Sequence, residues 1–179
     1  MYGHYARIAW LLVLATGGQR IATAQAVHPV TGRHIAPVMG VNGADWLERE
    51  ERQREEQPEK AILALHLKPG MQVGDVGAGT GFYSLRMARA IAPGGVVYAE
   101  DIQPLMIEAI KRRVQRENLT TVRTVLGTTK DSRLPHGLDA VIIMGAYNEM
   151  EDPVALLKDA AASLKPQGRI GVVEYTAGA

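Results

Sequence analysis

Cysteine is missing from all 179 residues, which removes disulfides, thiolate metal sites and a cysteine nucleophile from consideration. A charge excess is missing too: 20 Lys+Arg stand against 19 Asp+Glu, a formal net charge of +1, and no basic block stands out. The electrostatic footprint of a nucleic-acid partner is therefore not visible. The apolar run near the start, Ile8 to Ala15, is too short to span a bilayer as an ordinary helix. His28 and His34 share one stretch without a cysteine or a closely spaced third histidine, so no metal is expected. What the chain does have is 46% hydrophobic and 22% charged residues, the balance of one globular domain large enough to bury a core.

Arg7 precedes the apolar run, and Ala24 and Ala26 flank Gln25, the layout of a secretory signal with a small-residue cleavage site. Ala22-Thr23-Ala24 offers a second site. A cleaved signal over residues 1–26 predicts a periplasmic or secreted protein with no stable membrane span, and an uncleaved one leaves the chain anchored or cytoplasmic. Cleavage would remove Arg7 and Arg20 and no acid, turning the balance to −1. No basic surface would remain to attract an acidic partner.

Residues 27–68 form the next unit. "VHPVTGRHIAPVMGVNG", Val27 to Gly43, carries prolines and glycines without a period and reads as an extended arm. Asp45, with Glu48 three residues on, looks like a capping box opening a helix through "WLEREERQREEQ", with Trp46 and Leu47 inward and its alternating charges on a solvated face. Pro58 starts a second helix that runs to the turn at Lys68-Pro69-Gly70.

From residue 69 to 179 short apolar runs alternate with amphipathic stretches. "MQVGDV", "VVYAE", "VRTVL", "LDAVIIM" and "RIGVVEY" read as strands, and the fourth is apolar enough to be buried on both faces. Between them lie a helix with Leu85, Ala88 and Ile91, one opening at Pro104 with Ile107, Ile110 and Val114, and one capped by Asp152 with Leu157, Ala160, Ala161 and Leu164. The expected fold is α/β: a Rossmann-like, doubly wound parallel sheet of about five strands with helices on both faces. Ligands of such sheets bind beyond the carboxyl ends of the strands.

One such end holds "VGDVGAGTGF". Gly77, Gly79 and Gly81 are spaced G-x-G-x-G, and a dinucleotide fingerprint would need its third glycine where this chain has Phe82. No Gly-Lys-Ser/Thr follows, so a phosphate loop is excluded as well. The loop fits close backbone approach to a ligand without phosphate, with Asp75 just upstream. Asp101 closes the second strand about 20 residues on, the distance at which a carboxylate accepts hydrogen bonds from a ribose. Its neighbour Glu100 would point to the other side.

"VGDVGAGTGFYS", "VVYAEDIQP", "VLGTTKDSRLP", "LDAVIIMGAYNEMEDP" and "LKPQGRIGVVEY" together resemble the class I S-adenosylmethionine-dependent methyltransferases, near the ubiquinone and menaquinone C-methyltransferases. The resemblance covers Pro69 to Tyr175. It implies S-adenosylmethionine as cofactor and a small-molecule acceptor. By it, Gly77, Ala78 and Gly79 line the methionine moiety, and Asp75 holds the loop and the amino group, directly or through water. Asp101 takes the ribose hydroxyls and Ile102 packs on adenine. Thr128 stands at the adenine edge, where the family often has Asp, and Gly145 borders the sulfonium.

Members of the group often carry Tyr-His-Glu beside the methyl group; this chain has Tyr147-Asn148-Glu149, so a histidine base is replaced by a side chain that cannot titrate. Tyr147 and Glu149 are left as candidates to act on the acceptor, or only to shape the loop. The arm at Val27 to Gly43 is expected to cover the site or bind a partner. The family's sheet has seven strands, so the expectation is that its C-terminal hairpin is lacking and that the fifth strand is an exposed edge open to self-association. Two further readings stay open: a vestigial nucleoside-binding domain without turnover, and an NAD-linked oxidoreductase, which Phe82 disfavours.

Overall fold

A computed structural model describes residues 26–174. The signal expected over residues 1–26 lies, but for its last residue, outside them. The core is a five-stranded, all-parallel sheet in the order β3-β2-β1-β4-β5, built from β1 (Gln72–Val76), β2 (Val96–Asp101), β3 (Val122–Leu126), β4 (Leu138–Met144) and β5 (Leu164–Val173). The strand order reverses between β1 and β4, and a crevice opens there at the carboxyl ends. As its composition demands, β4 is buried on both sides: Leu138, Val141, Ile142 and Ile143 are fully enclosed.

Helices cover both faces, as expected. One face carries α3 (Pro58–Ala64), α4 (Phe82–Ala90) and α5 (Pro104–Arg116), packed through Ile62, Phe82, Met87, Ala88, Ile91 and Ile110 onto Val73, Val97, Ala99 and Ile142. The other carries α6 (Pro153–Ala162), through Leu156 and Ala160 onto Val141 and Ile143. Asp152 caps α6, its Oδ1 accepting the Ala155 N–H at 3.0 Å. Of the expected stripe Ala160 is buried, beside Leu156; Leu157 is only half-buried, Ala161 is exposed, and Leu164 lies past the end of α6, where it opens β5. Unlike its neighbours, the β3–β4 crossover has no helix. Residues 127–137 are a loop whose Leu134 packs over Gly74, and whose Ser132 N–H is held by Asp159 of α6 at 2.9 Å.

The helices before the sheet depart furthest from expectation. Gly43, not Asp45, precedes α1 (Ala44–Leu47), which has no side-chain cap, because a 3-10 turn at Val41–Gly43 feeds the chain straight into it. A second helix, α2 (Glu51–Glu56), follows and stops at Gln57, which is left-handed at φ 45°; Pro58 disfavours the helical region for the residue before it. Trp46 is 46% exposed and stacks on the Arg49 guanidinium at 3.7 Å.

The charges of α2 are not all solvated. Arg52 is buried and pairs with Glu56 at 2.7 Å, their side chains 9% and 6% exposed. Arg52 also donates to Leu47 O at 2.8 Å and lies 4.3 Å from the centre of the Phe82 ring, while Tyr83 donates its hydroxyl to Glu56 at 3.0 Å. The i,i+4 spacing was visible; that α4 would offer two aromatic rings to the pair was not. Removing one partner of a buried ion pair typically costs about 3–5 kcal/mol, whereas an exposed charge changes stability by about 0.5 kcal/mol at most. Urea denaturation of Arg52→Ala against Arg54→Ala, whose Arg54 is exposed, is expected to show that contrast.

Candidate functional site

A cavity of about 380 Å³ occupies the crevice over β1, β2 and β4, within the usual size range of small-ligand sites. Its floor is the loop between β1 and α4. Gly77, Gly79 and Gly81 all take positive φ, at 70°, 56° and 84°, a region that other L-residues rarely enter. A Cβ on Gly77 would come within 2.5 Å of the Ala146 Cβ, so the glycine is needed for close approach as well as for its angle. Phe82 opens α4 and is itself buried between the guanidinium groups of Arg52 and Arg86, at 4.3 and 3.7 Å from its ring centre. Its ring belongs to the core, and Phe82 is not among the residues that line the cavity.

Three carboxyls converge on this floor. Asp101, at the end of β2, accepts the Gly79 N–H at 2.9 Å and the Gln103 N–H at 2.8 Å, bracing the glycine loop from the neighbouring strand. Burial raises its pKa, against the opposing effect of those N–H groups and that of Ile102. Glu100 points to the other face, as strand alternation requires, yet still lines the cavity. Its Oε2 accepts the Gly77 N–H at 3.2 Å, and burial pushes it up to about 8. Asp75 accepts a hydrogen bond from Ser84 at 2.5 Å, and burial moves it to about 6.

Of the residues expected to hold a cofactor, Gly77, Ala78, Gly79, Asp101, Ile102, Thr128 and Gly145 all line the cavity. Asp75 does not; it is buried and its carboxyl accepts the Ser84 hydroxyl, tying β1 to α4. Tyr147 is not among the lining residues either, its ring lying 5.4 Å from the Arg33 guanidinium. Glu149 and Asn148 do line the cavity.

The roof comes from the arm. Val27 and His34 pair as a small antiparallel bridge, and His28 closes the turn between them through its Nδ1. Arg33 then reaches across to donate to Asn148 O at 2.9 Å and to Met150 O at 2.5 Å. The Ala36 N–H donates to Asn148 O at 2.9 Å, the Met39 N–H to Glu149 Oε2 at 3.2 Å, and Gln103 Nε2 to Met39 O at 2.9 Å. Burial raises the Glu149 pKa against that Met39 N–H. Ala36, Pro37, Val38, Met39 and Trp46 make the roof apolar, and Arg52 and Glu56 close one side. Sequence reasoning missed Arg33, Arg52 and Glu100 as site residues: the first acts over 115 positions of sequence, the second carries no motif, and strand alternation turned the third away from the ligand side. Among the described residues no three His, Asp or Glu side chains gather as a metal site would require.

This fold, with its cavity at the point where the strand order reverses, a glycine loop as its floor and an acid at the end of β2, defines a doubly wound α/β protein of the ligand-binding class. The chain belongs to the methyltransferase domain family, whose model matches residues 73–168, within the class I S-adenosylmethionine-dependent methyltransferases. It is 25% identical over 117 residues to a demethylmenaquinone methyltransferase of Geobacillus, covering 65% of this chain and 50% of that one. To the nocamycin O-methyltransferase of Saccharothrix syringae it is 33% identical over 106 residues, 59% of this chain and 38% of that one. A solved S-adenosylmethionine-dependent methyltransferase from Aquifex aeolicus superposes with a TM-score of 0.74 at 25% identity, over 78% of this chain and 74% of that one. The chain thus spans half or less of the length of these two curated relatives.

The buried Glu100 makes stability depend on pH. Between the ordinary value of 4.5 and about 8 the folded state holds a proton that the unfolded chain has lost, so stability falls as pH rises through that window and levels off above it. Thermal melting of Glu100→Gln, which cannot titrate, is expected to show a flatter decline from pH 5 to 8 than the parent, with the two curves running parallel at higher pH.

Proposed function

We propose that this chain transfers the methyl group of S-adenosylmethionine to a small, largely apolar acceptor held under the arm. The observation that carries the reading is the meeting, in one cavity, of a glycine floor too tight for a Cβ, a ribose-range carboxylate and a buried guanidinium. The residues fit that cofactor. Backbone at Gly77 to Gly79 would face its amino-acid end, with Arg52 as a cation to match the carboxylate. Asp101 would accept the ribose hydroxyls, since each carboxylate oxygen has a lone pair left after its backbone bond. Ile102 would pack on the base, and Gly145 would leave room for the sulfonium. Bound there, the cofactor supplies an electrophilic methyl for in-line displacement.

The chain's own work is then to align the acceptor and keep water away, from which much of the rate of such a reaction comes. The apolar roof of Pro37, Val38 and Met39 suits both tasks. Where the acceptor must lose a proton, the loop after β4 presents two carboxyls to the cavity, Glu149 and Glu151, of which Glu149 is the half-buried one held by the Met39 N–H, and Asn148 beside it can only hydrogen-bond. Tyr147 acts indirectly, by seating Arg33 and hence the arm.

Calorimetry with S-adenosylhomocysteine tests the binding half. The parent chain is expected to bind it, Gly77→Ala to lose it, and Asp101→Ala to weaken it by about tenfold or more; a parent chain that binds none overturns the reading. For the chemistry, isotopic methyl transfer to a panel of apolar acceptors is expected to fall in Arg33→Ala through a raised KM, because the arm rather than the cofactor floor is disturbed. We further propose export by the first 26 residues and pairing of β5 with a second copy. N-terminal sequencing of protein recovered from cells and sedimentation of the purified chain test these.

A further inference from the structure

The charges that line the cavity are unequal. Five lining residues are acids, Glu56, Glu100, Asp101, Glu149 and Glu151, against the single cation Arg52. Three of the five are held within the fold. Glu56 pairs with Arg52 at 2.7 Å, and Asp101 accepts the Gly79 and Gln103 N–H groups. Glu100 is 2% exposed, with Oε2 on the Gly77 N–H and Oε1 buried, without a hydrogen-bond partner among the described residues and sealed from the cavity's contents.

Glu149 and Glu151 differ from these. Both come from the loop after β4, and neither has an ion-pair partner among the described residues. Glu151 is exposed, whereas Glu149 is half-buried. Glu149 Oε2 accepts the Met39 N–H at 3.2 Å, which leaves Oε1 to meet a ligand. Arg33, the guanidinium that crosses to this loop, is spent on the carbonyls of Tyr147, Asn148 and Met150 instead. The charges that act on Glu149 are other acids, Asp101 on β2 and Glu174 after β5. A half-buried carboxylate without a counter-charge is costly, and a cationic ligand removes that cost. Beside it the roof of Pro37, Val38 and Met39 is apolar, so the place suits a positive group on an apolar body.

We propose that the acceptor is an amine, a basic nitrogen on an apolar body, bound in its ammonium form by Glu149 with Glu151 adding charge on the exposed side, and that the reaction is N-methylation. The proposal rests on the reading of the cavity as a methyl-transfer site and names the substrate class for it. An ammonium ion has no lone pair, so it must first give up a proton. Glu149 Oε1 takes that proton, leaving a neutral amine beside a neutral carboxyl. The nitrogen lone pair then forms the bond to the methyl carbon while the C–S bond breaks, its electron pair staying on sulfur. The products are an N-methylammonium ion and a neutral thioether, and Glu149 returns its proton to water. Burial and the neighbouring acids raise the Glu149 pKa against the Met39 N–H, making it a stronger base than an exposed carboxylate. An alcohol would gain no ion pair here, and an acid would meet charge of its own sign.

Methyl transfer from isotopically labelled S-adenosylmethionine to phenylethylamine, phenylethanol and phenylpropanoate, three probes with one apolar body, tests this on the full chain. The amine is expected to exceed the alcohol in kcat/KM by about tenfold or more, with no transfer to the acid. Glu149→Gln is expected to lower kcat/KM for the amine by about a hundredfold while binding S-adenosylhomocysteine as the parent does. Glu151→Gln is expected to raise KM with kcat unchanged. A parent that binds S-adenosylhomocysteine yet takes the amine no better than the other probes overturns the proposal and leaves the cofactor reading standing. So does a Glu149→Gln variant whose amine turnover is unchanged, or one that loses S-adenosylhomocysteine, since its carboxyl would then belong to the cofactor. A parent that binds no S-adenosylhomocysteine removes both. Should Glu149→Gln not fold, the parent's ranking of the three probes decides alone.

Discussion

The site depends on one arrangement: the carboxylate of Asp101, on β2, gripping the Gly79 N–H of a loop that belongs to β1. Three residues of that loop stand at positive φ, and a run of such angles is unstable unless neighbouring structure over-determines it. The brace comes from the adjacent strand on two levels, since Ala78 N–H also donates to Glu100 O at 2.7 Å and Gly77 N–H to the Glu100 carboxyl. Parallel pairing of Asp75 with Ala99 and of Val76 with Glu100 sets the height at which those groups meet. A one-residue slip in that register would exchange the faces of Glu100 and Asp101, and the loop would lose both supports.

Around this brace the chain collects an unusual density of buried acid. Asp75 on β1 and Glu100 and Asp101 on β2 are brought together at neighbouring strand ends, all nearly inaccessible to solvent, and burial raises all three. Arg52 is the buried cation that answers them in part, lowering Asp75, and it is held by Glu56 and two aromatic rings rather than by any of the three. A site arranged in this way can take up a ligand carrying hydrogen-bond donors and a positive sulfonium. A phosphate would add charge of the sign already in excess and is disfavoured.

The arm gives the site its other half. It has little secondary structure of its own, and its position comes from Arg33 grasping the carbonyls of the loop after β4, backed by Ala36, Met39 and Gln103. The same loop is gripped from the opposite side by Glu174, whose Oε1 accepts the Tyr147 N–H at 2.7 Å. Tyr147, Asn148 and Glu149 therefore sit between two fixed supports. Their conformation reports on the arm as much as on the sheet.

The sheet was legible in the sequence because its evidence is local and repeated: β4 announces itself by an unbroken apolar run, and α4 and α5 by buried residues at helical spacing, such as Leu85 and Ala88 or Ile107 and Ile110. The cavity floor was legible for a related reason, since glycines at G-x-G-x-G spacing and an acid at the next strand end have backbone consequences that hold wherever they occur. The β3–β4 crossover and the inward phase of α6 were not, because short-range pattern does not say which of two half-apolar stripes meets the sheet. Nor could sequence alone bring Arg33 to Asn148, turn Arg52 and Glu56 inward, or leave Glu100 Oε1 bare. Those outcomes depend on which groups the folded chain places opposite one another, and a buried charge or carbonyl is satisfied by partners that only tertiary packing supplies.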